Sequence, residues 1–173
     1  MRIIAGRWKG RRITAPPGDV VRPTGDRVRE AWMSIVHPLL PDARVLDLCA
    51  GSGALGLESL SRGAARCDFV EQSPKVMPTL EANLAALGGH EGAHIRRDEA
   101  VRFVTGLEAE AYDVAFADPP YASETALRLA EQWSAVPFAT LFIVEHSSEV
   151  VLPGGGETRR YGSTSLTLFR AHP

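Results

Sequence analysis

Directly after an apolar run at residues 112–117 stand Asp118-Pro119-Pro120-Tyr121. Two consecutive prolines fix the backbone and remove two N–H donors, leaving the Pro119 carbonyl to project as an acceptor beside the Asp118 carboxylate. Such a pair suits an exocyclic amino group on a nucleobase, whose nitrogen is a poor nucleophile because its lone pair is delocalised into the ring. Accepting one amino hydrogen at Asp118 and the other at Pro119 favours the pyramidal nitrogen, whose lone pair can attack a methyl group. Tyr121 would stack on the base and hold the nitrogen in line. Asp118, Pro119, Pro120 and Tyr121 are therefore the candidate catalytic residues.

The methyl donor needs a site of its own. Val45-Leu46-Asp47-Leu48-Cys49-Ala50-Gly51-Ser52-Gly53 reads as a strand that breaks into a glycine turn, and helical spacing begins at Ala54. A side chain at Gly51 or Gly53 would stand in the way of a ligand approaching bare backbone. Gly51-x-Gly53-x-x-Gly56, with Glu71 twenty residues after Gly51, also satisfies the dinucleotide-binding fingerprint. The acids separate the two ligands. Asp47, Glu71, Asp98 and Asp118 fall at the ends of predicted strands, where like charge would repel a pyrophosphate. S-adenosylmethionine carries a sulfonium and an ammonium and no phosphate, so a negatively lined pocket suits it. Asp47 is then expected near the ammonium, Glu71 at the ribose hydroxyls and Asp98 at the adenine amino group.

Those residues must be brought to one edge. Strands are predicted at 44–49, 67–71, 94–97, 112–117 and 140–145, alternating with helices at 54–61, 75–87, 99–105 and 124–133. This rhythm predicts a parallel sheet with helices on both faces, in which ligands bind at the carboxyl ends of the strands. Segments 158–161 and 165–170 are joined by a short turn and must pair as a hairpin, which leaves at least one strand antiparallel. Before the first strand, segment 20–24 is extended, and Thr24 or Asp26 can cap a helix that ends at Pro38. Its apolar stripe is Val28, Ala31, Trp32, Ile35 and Val36, so Arg27, Arg29 and Glu30 should point elsewhere. Residues 1–15 turn at Gly6 and Gly10, which suits a β-hairpin with Trp8 near its tip. Trp32 and Trp133 are expected in the core, and Glu145-His146-Ser147 reads as a structural strand end.

At 173 residues and 45% apolar, the chain can bury one core, and a single domain over 1–173 is expected. Within it, 1–23 is a basic extension of the fold in 24–173. The N-terminal arginines are not followed by an apolar run, and no stretch reaches the roughly 20 apolar residues of a membrane span. A cytoplasmic protein without membrane contact is expected. Neither Cys49 nor Cys67 has a partner at metal-ligand spacing, so no metal is expected and both read as buried thiols. The net charge of −2 is unevenly spread, since the first thirty residues carry eight Lys and Arg against three acids. That asymmetry points to a localised contact with a polyanion, for which Arg7, Trp8, Lys9, Arg11, Arg12 and Arg22 are the candidate RNA-binding residues.

Asp118-Pro119-Pro120-Tyr121 resembles the catalytic motif of amino-directed class I methyltransferases, and the segment from Leu46 to Gly56 resembles their cofactor motif. Met1-Arg2-Ile3-Ile4-Ala5-Gly6, Arg22-Pro23-Thr24, Asp26-Arg27-Val28-Arg29-Glu30 and Leu57-Glu58-Ser59-Leu60-Ser61-Arg62-Gly63-Ala64 are together similar to RsmD-type 16S rRNA guanine-N2 methyltransferases, over essentially the whole chain. The resemblance implies an α/β, Rossmann-like class I methyltransferase fold: a seven-stranded, mostly parallel sheet with one antiparallel strand, helices on both faces and an N-terminal β-hairpin extension. It implies S-adenosylmethionine as cofactor, held by Asp47, Cys49, Ala50, Gly51, Ser52 and Gly53, by Glu71 and Gln72, and by Asp98, Glu99 and Ala100. Thr24 and Arg27 would touch cofactor as well as RNA. The implied substrate is the 2-amino group of a guanine in the helix 31 loop of 16S rRNA, in an assembling or assembled 30S particle. Monomeric action is expected at this size. Tyr121 stands where the family often has Phe, and Cys49 where an aromatic residue is common. Three other readings remain open at this point: methylation of adenine or cytosine amino groups in DNA, a noncatalytic RNA-binding assembly factor, and an NAD-dependent oxidoreductase. The first would have to manage without a separate target-recognition domain.

Overall fold

In the computed structural model, which describes residues 1–18 and 25–173, strands and helices alternate as the apolar rhythm requires. The strands are β1 (Arg44–Leu48), β2 (Arg66–Glu71), β3 (Ala93–Arg97), β4 (Tyr112–Ala117), β5 (Ala139–Ser147), β6 (Glu157–Tyr161) and β7 (Thr164–Arg170). The helices are α1 (Asp26–Val36), α2 (Ala54–Ser61), α3 (Met77–Ala86), α4 (Ala100–Thr105) and α5 (Thr125–Ala135). All seven strands join one sheet in the order β3-β2-β1-β4-β5-β7-β6. The chain runs outward from β1 to one edge, returns to β4 and runs outward to the other, so strand order reverses between the parallel neighbours β1 and β4. Ligands collect at that reversal in open α/β sheets.

Strands β1 and β4 are buried along almost their whole length because helices cover both faces. One face packs α1, α2 and the N-terminal residues around Trp32, Leu57, Phe69 and Phe116. The other packs α4 and α5 around Val101, Leu129, Trp133 and Phe142. Strand β7 pairs antiparallel with both β5 and β6, and it is the one strand that runs against the others. Only Gly162 and Ser163 separate Tyr161 from its partner Thr164, a link too short for a parallel crossover, and Gly162 supplies the turn at φ +67°.

Helix α1 departs from the expected stripe. Its buried face is Arg29, Trp32, Met33 and Val36, while Val28, Ala31 and Ile35 are half-buried. Arg29, expected to point away, is only 2% exposed, because its Nη2 donates to the Arg2 carbonyl at 2.9 Å and to Asp26 Oδ1 at 3.2 Å. Gly25 occupies the cap position with no side-chain hydrogen bond, so Asp26 does not cap the helix. Thr24, Arg22 and the extended 20–24 segment lie outside the described residues.

The N-terminal segment is not the pair of strands expected. Arg2 and Arg12 form a single antiparallel bridge, with Ile3 N donating to the Arg11 carbonyl and Gly10 N to the Ile3 carbonyl, both at 2.9 Å. Further pairing is diverted to α2. The Glu58 carboxylate, fully buried, accepts Ile4 N at 2.9 Å, Ala5 N at 3.0 Å and Arg62 Nε at 3.0 Å. Ser61 accepts Trp8 N at its hydroxyl and Arg7 N at its carbonyl, at 3.0 and 2.8 Å. Every residue of α2 is therefore buried, with the sheet on one side and this segment on the other.

Candidate active site

A cavity of about 460 Å³ opens at the carboxyl ends of β1, β2, β4 and β5. Gly51, at φ +58°, lines it, and its N–H donates to Glu71 Oε2 at 2.9 Å. The other Glu71 oxygen accepts Ser73 N at 2.9 Å, so this buried carboxylate braces the turns after both β1 and β2. Gly53 and Gly56 serve packing instead: a Cβ on Gly53 would lie 2.4 Å from Leu80 Cδ1, and one on Gly56 2.3 Å from Phe69 Cε1. Cys49 also takes a left-handed conformation, at φ +57°, and faces the cavity half-buried rather than sealed in the core like Cys67. Burial, and then the charges of Glu71 and Asp118, push its thiol up, so it is an inert, protonated wall.

Gln72, Asp98, Glu99 and Ala100 line the same cavity. Asp98 Oδ1 accepts Glu99 N at 2.7 Å and Arg102 Nε at 2.6 Å, and the Glu99 carboxylate caps α4 by accepting Val101 N and Arg102 N. Asp47, Ala50, Ser52 and Gly53 stand behind the lining. Asp47 is 2% exposed, and its Oδ2 accepts Gly56 N at 2.9 Å, which seats the start of α2 on the end of β1. That contact places Asp47 in the scaffold of the turn, one layer behind the lining residues. Burial pushes its carboxyl well above the usual range, opposed by the Gly56 N–H and reinforced by Asp118 and Glu71. Arg27 is exposed, away from the lining.

On the other wall stand Asp118, Pro119, Pro120 and Tyr121. The Pro120 carbonyl accepts both Ser123 N, at 3.1 Å, and Ser123 Oγ, at 2.7 Å, so it is used within its own turn. The Tyr121 hydroxyl donates to Glu145 Oε1 at 3.2 Å and bonds Thr164 Oγ1, which ties this loop to the ends of β5 and β7. Glu145, expected to be structural, lines the cavity. Its place follows from register: Ala117 pairs Val144, so Asp118, the first residue past β4, stands beside Glu145, which lies two residues before the end of β5. Sequence offers only the hint that both predicted strands end in an acid.

The candidate RNA-binding residues divide. Arg7, Lys9, Arg11 and Arg12 are exposed on the N-terminal segment. Trp8 is 4% exposed, its ring edge-on to His90 and packed in the core beneath Arg7, which removes it as a surface on which a base could stack. No helix among the described residues is long and apolar enough to cross a membrane, and they contain no group of three or more His, Cys, Asp or Glu that could hold a metal ion.

Among the described lining residues are five carboxylates, Glu71, Asp98, Glu99, Asp118 and Glu145, and no Lys or Arg. A pyrophosphate would find no cation here, whereas a sulfonium and an ammonium are matched; the residues present fit S-adenosylmethionine. Strand order and the reversed β7 are those of the class I methyltransferase fold, and the pocket lies where that fold binds its ligand. The family model described as Conserved hypothetical protein 95 matches residues 1–170, and the chain belongs to that family, the RsmD family of the sequence motifs. It is 37% identical over 156 residues to the ribosomal RNA small subunit methyltransferase D of Escherichia coli K12, covering 88% of this chain and 78% of that protein. A solved structure of a hypothetical protein from Thermus thermophilus superposes with a TM-score of 0.84 at 30% identity, over 99% of both chains. The fold extends to a T. thermophilus 16S rRNA N2 methyltransferase solved with AdoMet and guanosine, at 18% identity and a TM-score of 0.70, over 90% of this chain and 45% of that one.

Proposed function

We propose that this protein methylates the 2-amino group of a guanine in small-subunit ribosomal RNA. The observation that carries the reading is the convergence of Asp118, Pro119 and Tyr121 on a cavity rich in carboxylates, with the Pro120 carbonyl already taken by Ser123. Of the two proline carbonyls, that leaves Pro119's for substrate. The name of the E. coli relative and the guanosine in the T. thermophilus structure support this substrate class. S-adenosylmethionine, when bound, supplies an electrophilic methyl group on a sulfonium. Glu71 and Gln72 would hold its ribose and Asp98 to Ala100 its adenine. The Asp118 carboxylate and Pro119 carbonyl each accept one amino hydrogen, which localises the lone pair on N2. Tyr121 stacks on the ring and fixes its approach, and the carboxylate walls stabilise a cationic donor.

At finer grain the substrate is the helix 31 loop, presented in a 30S particle, and the enzyme acts as a cytoplasmic monomer of one domain. Arg7, Lys9, Arg11 and Arg12, exposed on the N-terminal segment, grip phosphates around the loop. The test is incubation with labelled S-adenosylmethionine and naked 16S rRNA, 30S particles or duplex DNA, followed by mass spectrometry of the nucleosides and mapping of the modified position. Label on guanine N2 is expected; label on adenine, or none on guanine, overturns the reading. Asp118→Asn should lose transfer by at least about 100-fold while binding S-adenosylhomocysteine as the wild type does.

A further inference from the structure

We infer that Glu145 is the residue that selects guanine, by accepting the N1–H of the target base; this rests on the guanine-N2 reading above. Asp118 lies just past the end of β4 and Glu145 two residues before the end of the adjacent β5, and both line the cavity with Pro119 and Tyr121. A base placed with its 2-amino group at Asp118 and Pro119 directs one of the ring positions beside that group along the same wall. In guanine those positions are N1–H, a donor, and N3, an acceptor, and a carboxylate selects the orientation that presents N1–H; in adenine and cytosine the ring nitrogen beside the amino group is an acceptor. A carboxylate there favours guanine and repels the other two.

Glu145 is suited to this by how it is held. It is 5% exposed, so water competes weakly for it. Its Oε1 accepts the Tyr121 hydroxyl at 3.2 Å, which fixes the carboxylate relative to the ring that would stack on the base. The partners of β5 in the sheet keep it rigid, with Ala117 opposite Val144 on one side and Leu166 opposite Glu145 on the other. Acceptors are thus set for all three hydrogens of a guanine's N1 and N2: Pro119 and Asp118 for the amino group and Glu145 for the ring. A site built to bond a hydrogen rejects the analogue lacking it, because its buried acceptor is left facing another acceptor.

2-Aminopurine keeps the 2-amino group but carries an unprotonated N1 and no O6, so the change in guanine preference on altering Glu145, rather than the preference itself, reports the N1 contact. Substrate RNA with either guanine or 2-aminopurine at the mapped position is methylated by the wild-type protein and by Glu145→Gln, which keeps the volume and an oxygen for Tyr121. The wild type should prefer guanine in kcat/KM by at least about 100-fold. In E145Q, whose amide can turn its NH2 toward an N1 acceptor, that ratio should fall at least about tenfold. Were E145Q too slow on both RNAs, their binding in the presence of S-adenosylhomocysteine gives the same ratio, with thermal melting to show the fold intact. An unchanged ratio in E145Q, or no preference in the wild type, overturns the role of Glu145 while leaving guanine methylation standing. Transfer to neither RNA by the wild type brings down the guanine-N2 reading and this inference with it.

Discussion

At Tyr121 a single side chain joins two tasks that phenylalanine would separate. The ring faces the cavity while the hydroxyl is engaged with Glu145 and Thr164. Tyr121→Phe should keep stacking and lose the tether, so kcat falls by about tenfold, the loss of roughly 1.4 kcal/mol of positioning, while S-adenosylmethionine binds unchanged. Equal loss in cofactor affinity, read by calorimetry, would refute that division. His146 gives the residue scale its pH dependence. Its ring is buried between the Ser147 carbonyl and Thr167 Oγ1, at 2.9 and 2.7 Å, and burial holds its pKa below the usual 6.5. As pH falls through that value the unfolded chain takes up a proton that the folded one refuses, so stability is full above it and declines below. The histidines should therefore lower the melting temperature between pH 7 and pH 5, with the less buried His90 adding to the slope and the buried Asp47 carboxyl opposing it, and His146→Gln should make the loss smaller than in the wild type. Which acids would face a ligand was only half legible at this scale. Asp118 announces itself through its prolines, but Asp47 and Glu71 are both acids at predicted strand ends. Only the folded backbone shows that Asp47 turns to Gly56 and Glu71 to the cavity rim.

Helix α2 and the N-terminal segment form one unit, and the sequence showed the helix far better than its cover. Alternating strands and helices are local patterns, legible because apolar periodicity is set by neighbours a few residues away. The reversed tail was equally legible, since a two-residue link permits one topology. The N-terminal segment was not, because its backbone donors are satisfied by Glu58, more than fifty residues later, so a hairpin and a strap look alike in sequence. Gly6 is the seat of that contact. At φ +87° its added Cβ would lie 1.9 Å from the Ser61 carbonyl oxygen, whereas Gly10, at φ +82°, has no atom within 4 Å. Both Gly→Ala changes incur left-handed strain of about 1 kcal/mol. Only Gly6→Ala adds a backbone clash, and it should lower stability by at least about 2 kcal/mol further, or roughly 5 °C in Tm. Limited proteolysis should then cut the first fifteen residues of Gly6→Ala and spare those of Gly10→Ala. Equal melting temperatures for the two variants would mean that the segment is not held as described.

Over the whole molecule charge is sorted by place: exposed cations on the N-terminal segment, carboxylates in the cavity. Arg11 also donates to the Ala86 carbonyl, but Arg7, Lys9 and Arg12 can be replaced with little harm to the fold. Their triple alanine variant should weaken RNA binding and lower the slope of log affinity against log salt by about 2 to 3, with S-adenosylhomocysteine affinity unaltered. A slope equal to wild type would place the RNA on another surface. The sheet's two open ends carry a different consequence. Strand β3 closes one edge with His94, Arg96 and Arg97 exposed, and β6 closes the other with exposed Glu157 and Arg160 beside Arg159. A flat apolar border would invite another chain to dock its backbone, the first step toward insoluble fibrils. Here a newcomer would have to desolvate a fringe of charge at either margin, so the same chain that concentrates cations on its N-terminal segment also uses several to keep its own copies from zipping together.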